Sequence, residues 1–342
     1  MKLASVQKID GVAPIEGADK IELVKILGYQ SVSKKGEFKA GDICIWIEPD
    51  TTVPFCPWSM FLAKDKKMDS GDRIRLKAIK LRGEVSQGLA LPVPLVLGYP
   101  EGRLYEIDED LTEELGIHKY EKPLSPDLVG VAAGSRPSFI RKTDEDNFRS
   151  NPRAFAELIG KNCVVTKKVD GSSATYFYKD GVVGVCSRNL ELKESESNAF
   201  WQAGRESGVI DALKKDGQNL AVQAELYGPG INGNKTKGSK VKLAIFDLWS
   251  IDRLNFFSHN CMQNFCAHHS LPVVEVVKLF TPFSVEDTMD SLVQLANEQT
   301  YGDGIPAEGI VIRPLEEAYS ERFRGRLSGK IISEKYAVKH GE

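Results

Sequence analysis

At 342 residues the chain is long enough to bury two cores, and with 42% hydrophobic and 27% charged residues it has the composition of a globular protein with no low-complexity stretch. No apolar run reaches the roughly 18 residues a membrane helix needs, and the start, MKLASVQKID, lacks the apolar core of a secretion signal. The expected location is therefore the cytosol, or the nucleus of a nucleated host, and the net charge of −3 excludes a uniformly basic nucleic-acid binder.

In chain order, IELVKILGYQSVS (21–33), DICIWIEP (42–49), RIRLKAIKL (73–81) and GLALPVPLV (88–96) are short β-rich runs separated by Gly, Pro and Asp, the pattern of a small closed barrel. Within them RIRLKAIKLRG carries five cations, with Lys77, Lys80 and Arg82 at its far end. Alternate side chains of a strand share a face, so this run predicts a basic surface able to track a phosphate backbone. The Pro-, Gly- and Ser-rich stretch EKPLSPDLVGVAAGSRPS (121–138) reads as a linker, dividing residues 1–125 from 126–342.

Beyond it, CVVTKKV (163–169), ATYFYKDGVVGVCS (174–187), LAVQAELYG (220–228), VKLAIFDLWSI (241–251) and EGIVIRPL (308–315) read as strands. Helical stretches are expected near 151–160, 197–215, 253–268 and 285–298, an α+β pattern and not an alternating βαβ one. Three basic segments occur, RIRLKAIKLR (73–82), NKTKGSKVK (234–242) and RFRGRLSGK (322–330), and the last two are rich in the Gly and Ser that suit backbone approach to phosphate.

The six cysteines form no CxxC pair, which argues against a disulfide framework or a zinc knuckle. HNCMQNFCAHH (259–269) gathers two cysteines and three histidines, but its spacing predicts a helix with Phe257, Cys261, Phe265 and Cys266 inward, ahead of a strand SLPVVEVV (270–277). GPGING (228–233) matches GxGxxG yet is followed by basic NKTKGSK and not by a helix, so a dinucleotide loop is rejected.

KKVDGSS (167–173) carries more. In a strand, Lys168 and Asp170 project on one face, and Gly171 ends the strand or admits a close backbone approach. In order, KVDG is followed by SRN (187–189), ELYGPGINGNK (225–235), AIFDLW (244–249), EGIVIR (308–313) and SGKIISEKY (328–336), each placing polar groups at the edge of an apolar run. This succession resembles the covalent nucleotidyltransferase superfamily of polynucleotide ligases and capping enzymes over residues 135–342. With KLRGEVSQGLALP (80–92) and SFIRKTDEDNF (138–148) in front, the chain resembles the ATP-dependent, nick-sealing RNA ligases of the Deinococcus and Naegleria type, which carry an amino-terminal OB module.

The resemblance implies an OB-like β-barrel (1–125) followed by an adenylyltransferase domain of antiparallel sheets flanked by helices (126–342). It implies Lys168 as the nucleophile on the α-phosphate of ATP, a group whose ordinary pKa near 10.4 leaves about one molecule in a thousand neutral at physiological pH. Asp170, Glu225, Glu308 and Lys330 complete the implied catalytic set. Glu225 and Glu308 hold Mg²⁺ or Mn²⁺, and Thr166, Lys167, Val169, Arg188, Asn189, Phe246, Lys330 and Lys335 contact the nucleotide, Phe246 by stacking on adenine. Lys235, with Lys77, Lys80 and Arg82, is assigned to nucleic acid.

The implied partner is a nicked duplex with an RNA 3′-hydroxyl strand, bound by a monomer with no membrane attachment. By the same resemblance a DNA nick ligase or a capping guanylyltransferase is expected to carry an OB domain after the last motif, where only a dozen residues follow Lys330. An inactive RNA-binding relative would have no use for a lysine nucleophile. Three positions depart from the family pattern: Lys167 where an acid is common, Asn147 where an arginine is expected, and Gly329 where an aromatic is usual.

Overall fold

The computed structural model describes residues 2–63, 72–97, 104–120 and 131–340. The chain forms two compact units, Met1–Lys122 together with Glu334–Glu342, and Pro123–Ser333. The boundary expected between residues 125 and 126 lies outside the described residues. Among those residues no helix is long and apolar enough to cross a membrane.

Among the described residues the first unit contains three antiparallel three-stranded sheets. Ile43–Ile47 is the middle strand of one, between Ala4–Lys8 and Leu89–Pro92. Its alternation divides the core in two: Ile45 and Ile47 pack with Val6, Val53 and Leu91, while Cys44 and Trp46 pack with Val24, Ile26 and Tyr29. Gly88 (φ +63°) makes room for Trp46, whose ring lies 2.4 Å from where a Cβ would stand.

The basic run 73–82 is not one strand. Arg73–Leu76 pairs with Thr51–Pro54, whereas Ile79–Leu81 forms a separate hairpin with Glu84–Ser86 through a turn at Arg82 (φ 51°) and Gly83 (φ 90°). Arg73 donates to the Thr52 and Gly116 carbonyls, and Arg75 pairs with Asp50 at 2.6 Å beneath Tyr120. Two of the five cations therefore hold the fold, while Lys77, Lys80 and Arg82 are exposed on and beside the hairpin. After Leu89–Pro92 the chain turns into the short helix Val93–Leu97, since Pro94 falls in a first turn, where its missing N–H costs nothing.

The second unit is built on two sheets. One has seven antiparallel strands, with Ser172–Lys179, Leu220–Tyr227 and Lys242–Ser250 adjacent near its centre. The other has five, in the order Asp146–Asn147, Gly329–Ile332, Gly309–Pro314, Cys163–Lys168, Val276–Phe280. Helices Ala199–Glu206, Val209–Asp216 and His259–His268 cover the first core, and Pro152–Ala156 and Met289–Glu298 the second.

Helix boundaries differ from the expectation for local reasons. The stretch 197–215 is broken at Gly208 (φ 79°), and its first half is capped by the Asn198 side chain. The stretch 253–268 begins as the edge strand Asn255–Phe256 and becomes helical only at the Ser258 cap. In that helix His259, Met262 and Cys266 are buried, a spacing of three and four, and Cys261 is exposed, correcting the inward assignment of Cys261. The strand expected at 270–277 begins at Val276.

Candidate active site

Lys168 is the last residue of Cys163–Lys168, paired with Gly309 across the ladder. Cys163 and Val165 enter the core beneath this strand, so Thr166 and Lys168 project on the opposite face. There the Lys168 Nζ donates to Glu308 Oε2 at 2.8 Å. Two glycines bring the carboxylates in. A Cβ on Gly171 would lie 2.1 Å from the Leu226 carbonyl oxygen, and one on Gly309 2.2 Å from that of Ile331. The first close approach sets Asp170 beside Glu225, and the second sets Glu308 under Lys168.

Thr166, Lys168, Val311 and Lys330 from the five-stranded sheet, with Val169 just past its strand end, line a pocket with Glu225, Ala244 and Phe246 from the seven-stranded one. Phe246 owes its direction to a register shift: Gln223 pairs with Asp247 but Ala224 with Ile245, leaving Phe246 as the extra residue of a bulge. The segment Thr143–Glu145 closes one side.

Burial alone disfavours the Lys168 ammonium, but Glu308, Glu225 and Asp170 outweigh it and hold the pKa well above that of a free lysine. Burial pushes the Glu225 carboxyl up to about 8 against the pull of Lys168, with Glu308 and Asp170 adding to the rise. Lys168 is thus protonated at rest, with Glu308, Glu225 and Asp170 close around it. Asp170 accepts from Asn232 Nδ2 at 2.7 Å and pairs with Lys235 at 3.2 Å, so the glycine-rich loop following Tyr227 wraps this carboxylate.

Behind the pocket, Asp247 of the seven-stranded sheet pairs with Arg313 of the five-stranded sheet and, at 2.8 Å, with Arg326, which also pairs with Glu317. Burial raises the Asp247 pKa, yet the two guanidinium groups prevail and hold it below the ordinary range. Arg326, in the basic segment RFRGRLSGK, is thereby a half-buried structural cation.

Not every residue implied by the resemblance lines the pocket. Arg188 pairs with Asp144 at 2.8 Å and Asn189 accepts from Lys142 at 3.1 Å, so both reach it through the 142–145 segment. Lys167 contributes to the wall, but its ammonium is engaged with Glu275 at 2.6 Å and the Thr300 carbonyl at 2.9 Å. Lys335 is exposed on Glu334–His340, in the first unit. Asn147 accepts from the Arg149 backbone N–H at 3.0 Å. Gly329 is explained by the ring of buried Phe148, 2.6 Å from where a Cβ would stand, which occupies the space of any side chain at 329. Arg313 belongs to EGIVIR and Thr143–Glu145 to SFIRKTDEDNF, motifs in which the sequence assigns these residues no role, whereas Tyr301, next to Lys168, has no sequence signal.

The comparisons with known proteins agree with this architecture. The RNA ligase family model matches residues 161–332, and an OB-fold domain model matches residues 3–93. No curated protein matches the sequence. Among solved structures, a Naegleria gruberi RNA ligase mutant with AMP and Mn is 32% identical with a TM-score of 0.85, covering 99% of both chains. The same ligase with PPi matches at 32% and 0.84 over 99% of both chains, and a mutant with ATP and Mn at 32% and 0.81 over 99% of this chain and 98% of that one. The first unit is thus an OB-fold domain and the second an RNA ligase domain. The chain belongs to the RNA ligase family.

Proposed function

We propose that the chain is an ATP-dependent RNA ligase that joins 3′-hydroxyl and 5′-phosphate ends, acting as a monomer at nicks in duplexes whose 3′-hydroxyl strand is RNA, in the cytosol or nucleus. The observation that carries the reading is the hydrogen bond of 2.8 Å from Lys168 to Glu308 in a pocket shared with Glu225, Phe246 and Lys330.

Three transfers follow. Lys168 Nζ, having lost its proton, attacks the α-phosphorus of ATP and pyrophosphate leaves. The adenylate then passes from Nζ to the 5′-phosphate of the nick, and the 3′-hydroxyl displaces AMP to form the phosphodiester. Glu308 Oε2 is the carboxylate that already accepts a hydrogen bond from the Lys168 ammonium, and it orients the amine. Phe246 offers an apolar face for the base, and Lys330 a cation for phosphate oxygens.

The site fits a hard divalent cation. Among the described residues no three His, Cys, Asp or Glu side chains converge to cage a metal, but Glu225 lines the pocket and Glu308 holds the lysine beside it, and Mg²⁺ and Mn²⁺ are commonly held by one or two carboxylates plus phosphate and water. Bound there, Mg²⁺ or Mn²⁺ supplies positive charge that disfavours the ammonium and stabilises phosphate oxygens.

The test is incubation with Mg²⁺ and α-labelled ATP or GTP. Label is expected to remain on denatured protein from ATP alone and to vanish in Lys168→Ala; transfer that survives the substitution refutes the reading. For the duplex, Lys77→Ala/Lys80→Ala/Arg82→Ala should weaken nick binding and reduce the slope of log K against log salt by about two to three. An unchanged slope removes the hairpin from the interface.

A further inference from the structure

We infer that Tyr301 is a positioning residue for lysine adenylylation, its hydroxyl tying the chain that carries Lys168 and Asp170 to the chain that carries Glu308. The inference rests on the proposed role of Lys168 as nucleophile.

Tyr301 opens the tight loop YGDGI (301–305). Its N–H donates to the Ile305 carbonyl at 2.9 Å, and Gly302, Asp303 and Gly304 all take positive φ. Thr300 and Pro306 bridge below the loop, and the Ala307 N–H donates to Gln299 at 2.9 Å. The loop therefore delivers the ring as part of a closed backbone structure.

The Tyr301 hydroxyl accepts from the Asp170 N–H at 2.7 Å and from the Glu308 N–H at 3.1 Å, and it donates to the Lys168 carbonyl at 3.2 Å. All three partners are backbone groups of residues that carry the reacting or charge-binding side chains. They meet where the ladder gives out, since the last pair of Cys163–Lys168 with its neighbour is Lys168 with Gly309. From the other side of the same strand, Lys167 Nζ donates to the Thr300 carbonyl at 2.9 Å while pairing with Glu275. Residues 300 and 301 are thus held to Lys167, to the Lys168 carbonyl and to the Asp170 N–H, and this gives the unusual Lys167 a role at the outer end of the same strut.

Reacting groups need placement within about half an ångström, and an error of about 1 Å costs on the order of a hundredfold in rate. In Tyr301→Phe the ring stays and the three bonds go. Lysyl-AMP formation at saturating ATP and Mg²⁺ is expected to slow about ten- to a hundredfold, with KM for ATP within about twofold of wild type. Thr288→Ala, which loses the cap of Met289–Glu298, is the structural control: it lowers thermal stability but leaves that rate unchanged.

Amide hydrogen exchange of the full chain gives a second readout. The Asp170 and Glu308 amides should exchange at least about tenfold faster in Tyr301→Phe and as in wild type in the control. A wild-type rate in Tyr301→Phe, a change in KM alone, or unchanged exchange at both amides overturns the role. If Tyr301→Phe does not yield folded protein, Lys167→Met replaces it under the same kinetic criteria. Label that fails to appear in wild type, or persists in Lys168→Ala, is instead a failure of the function proposed above.

Discussion

Asp247 is a sensitive position behind the pocket, because its carboxylate faces two guanidinium groups from segments that meet only in the folded state. In Asp247→Ala both attractions disappear, each on the order of 4 kcal/mol at about 4 Å in an effective dielectric near 20. The aspartate also ceases to be desolvated, which returns several kcal/mol, and Arg326 keeps Glu317. Glu145, half-buried nearby with its pKa raised by desolvation against the pull of Arg313 and Arg326, supplies a partial substitute charge. The net loss should be about 3–5 kcal/mol, the usual cost of stranding a buried charge. Denaturant unfolding monitored by tryptophan fluorescence measures it, and Asp247→Asn should recover part of the loss by keeping hydrogen-bond acceptance. A loss under about 1 kcal/mol in Asp247→Ala would falsify the view that this network joins the two sheets.

Glu225→Ala and Glu308→Ala should each slow lysine adenylylation about a hundredfold at saturating Mg²⁺, read by label transfer; wild-type rates in both variants would make them structural. His259 is pushed down to about 4, first by burial and then by Arg313. Between that value and its ordinary 6.5 the unfolded chain binds more protons, so stability falls as pH drops through this window, by up to about 3 kcal/mol, and His259→Gln should flatten the profile. Gly329→Ala sets a methyl against the buried Phe148 ring and should cost about 1–3 kcal/mol in thermal or denaturant unfolding, with no loss if the ring can move aside.

The residue types at the site were readable because their chemistry is local to short motifs. A lysine two before an acid, followed by glycine, says that both side chains share a face and that another backbone passes close, and Gly171 against Leu226 meets that demand. The two-domain order was readable too, since a barrel of short strands and an α+β domain differ in their spacing of turns. Period says which residues share a face; what stands opposite is chosen by chain far away. Hence the tertiary structure alone decided that Arg73 and Arg75 serve the fold, that Met262 and not Cys261 turns inward, and that a bulge aims Phe246 into the pocket. It also decided the use of Asp247, Arg313 and Arg326, separated along the chain and joined in one buried network, and of Tyr301, whose hydroxyl meets a backbone more than a hundred residues earlier. Such partners are selected by packing and by the need to satisfy buried polar groups, conditions that no local pattern records.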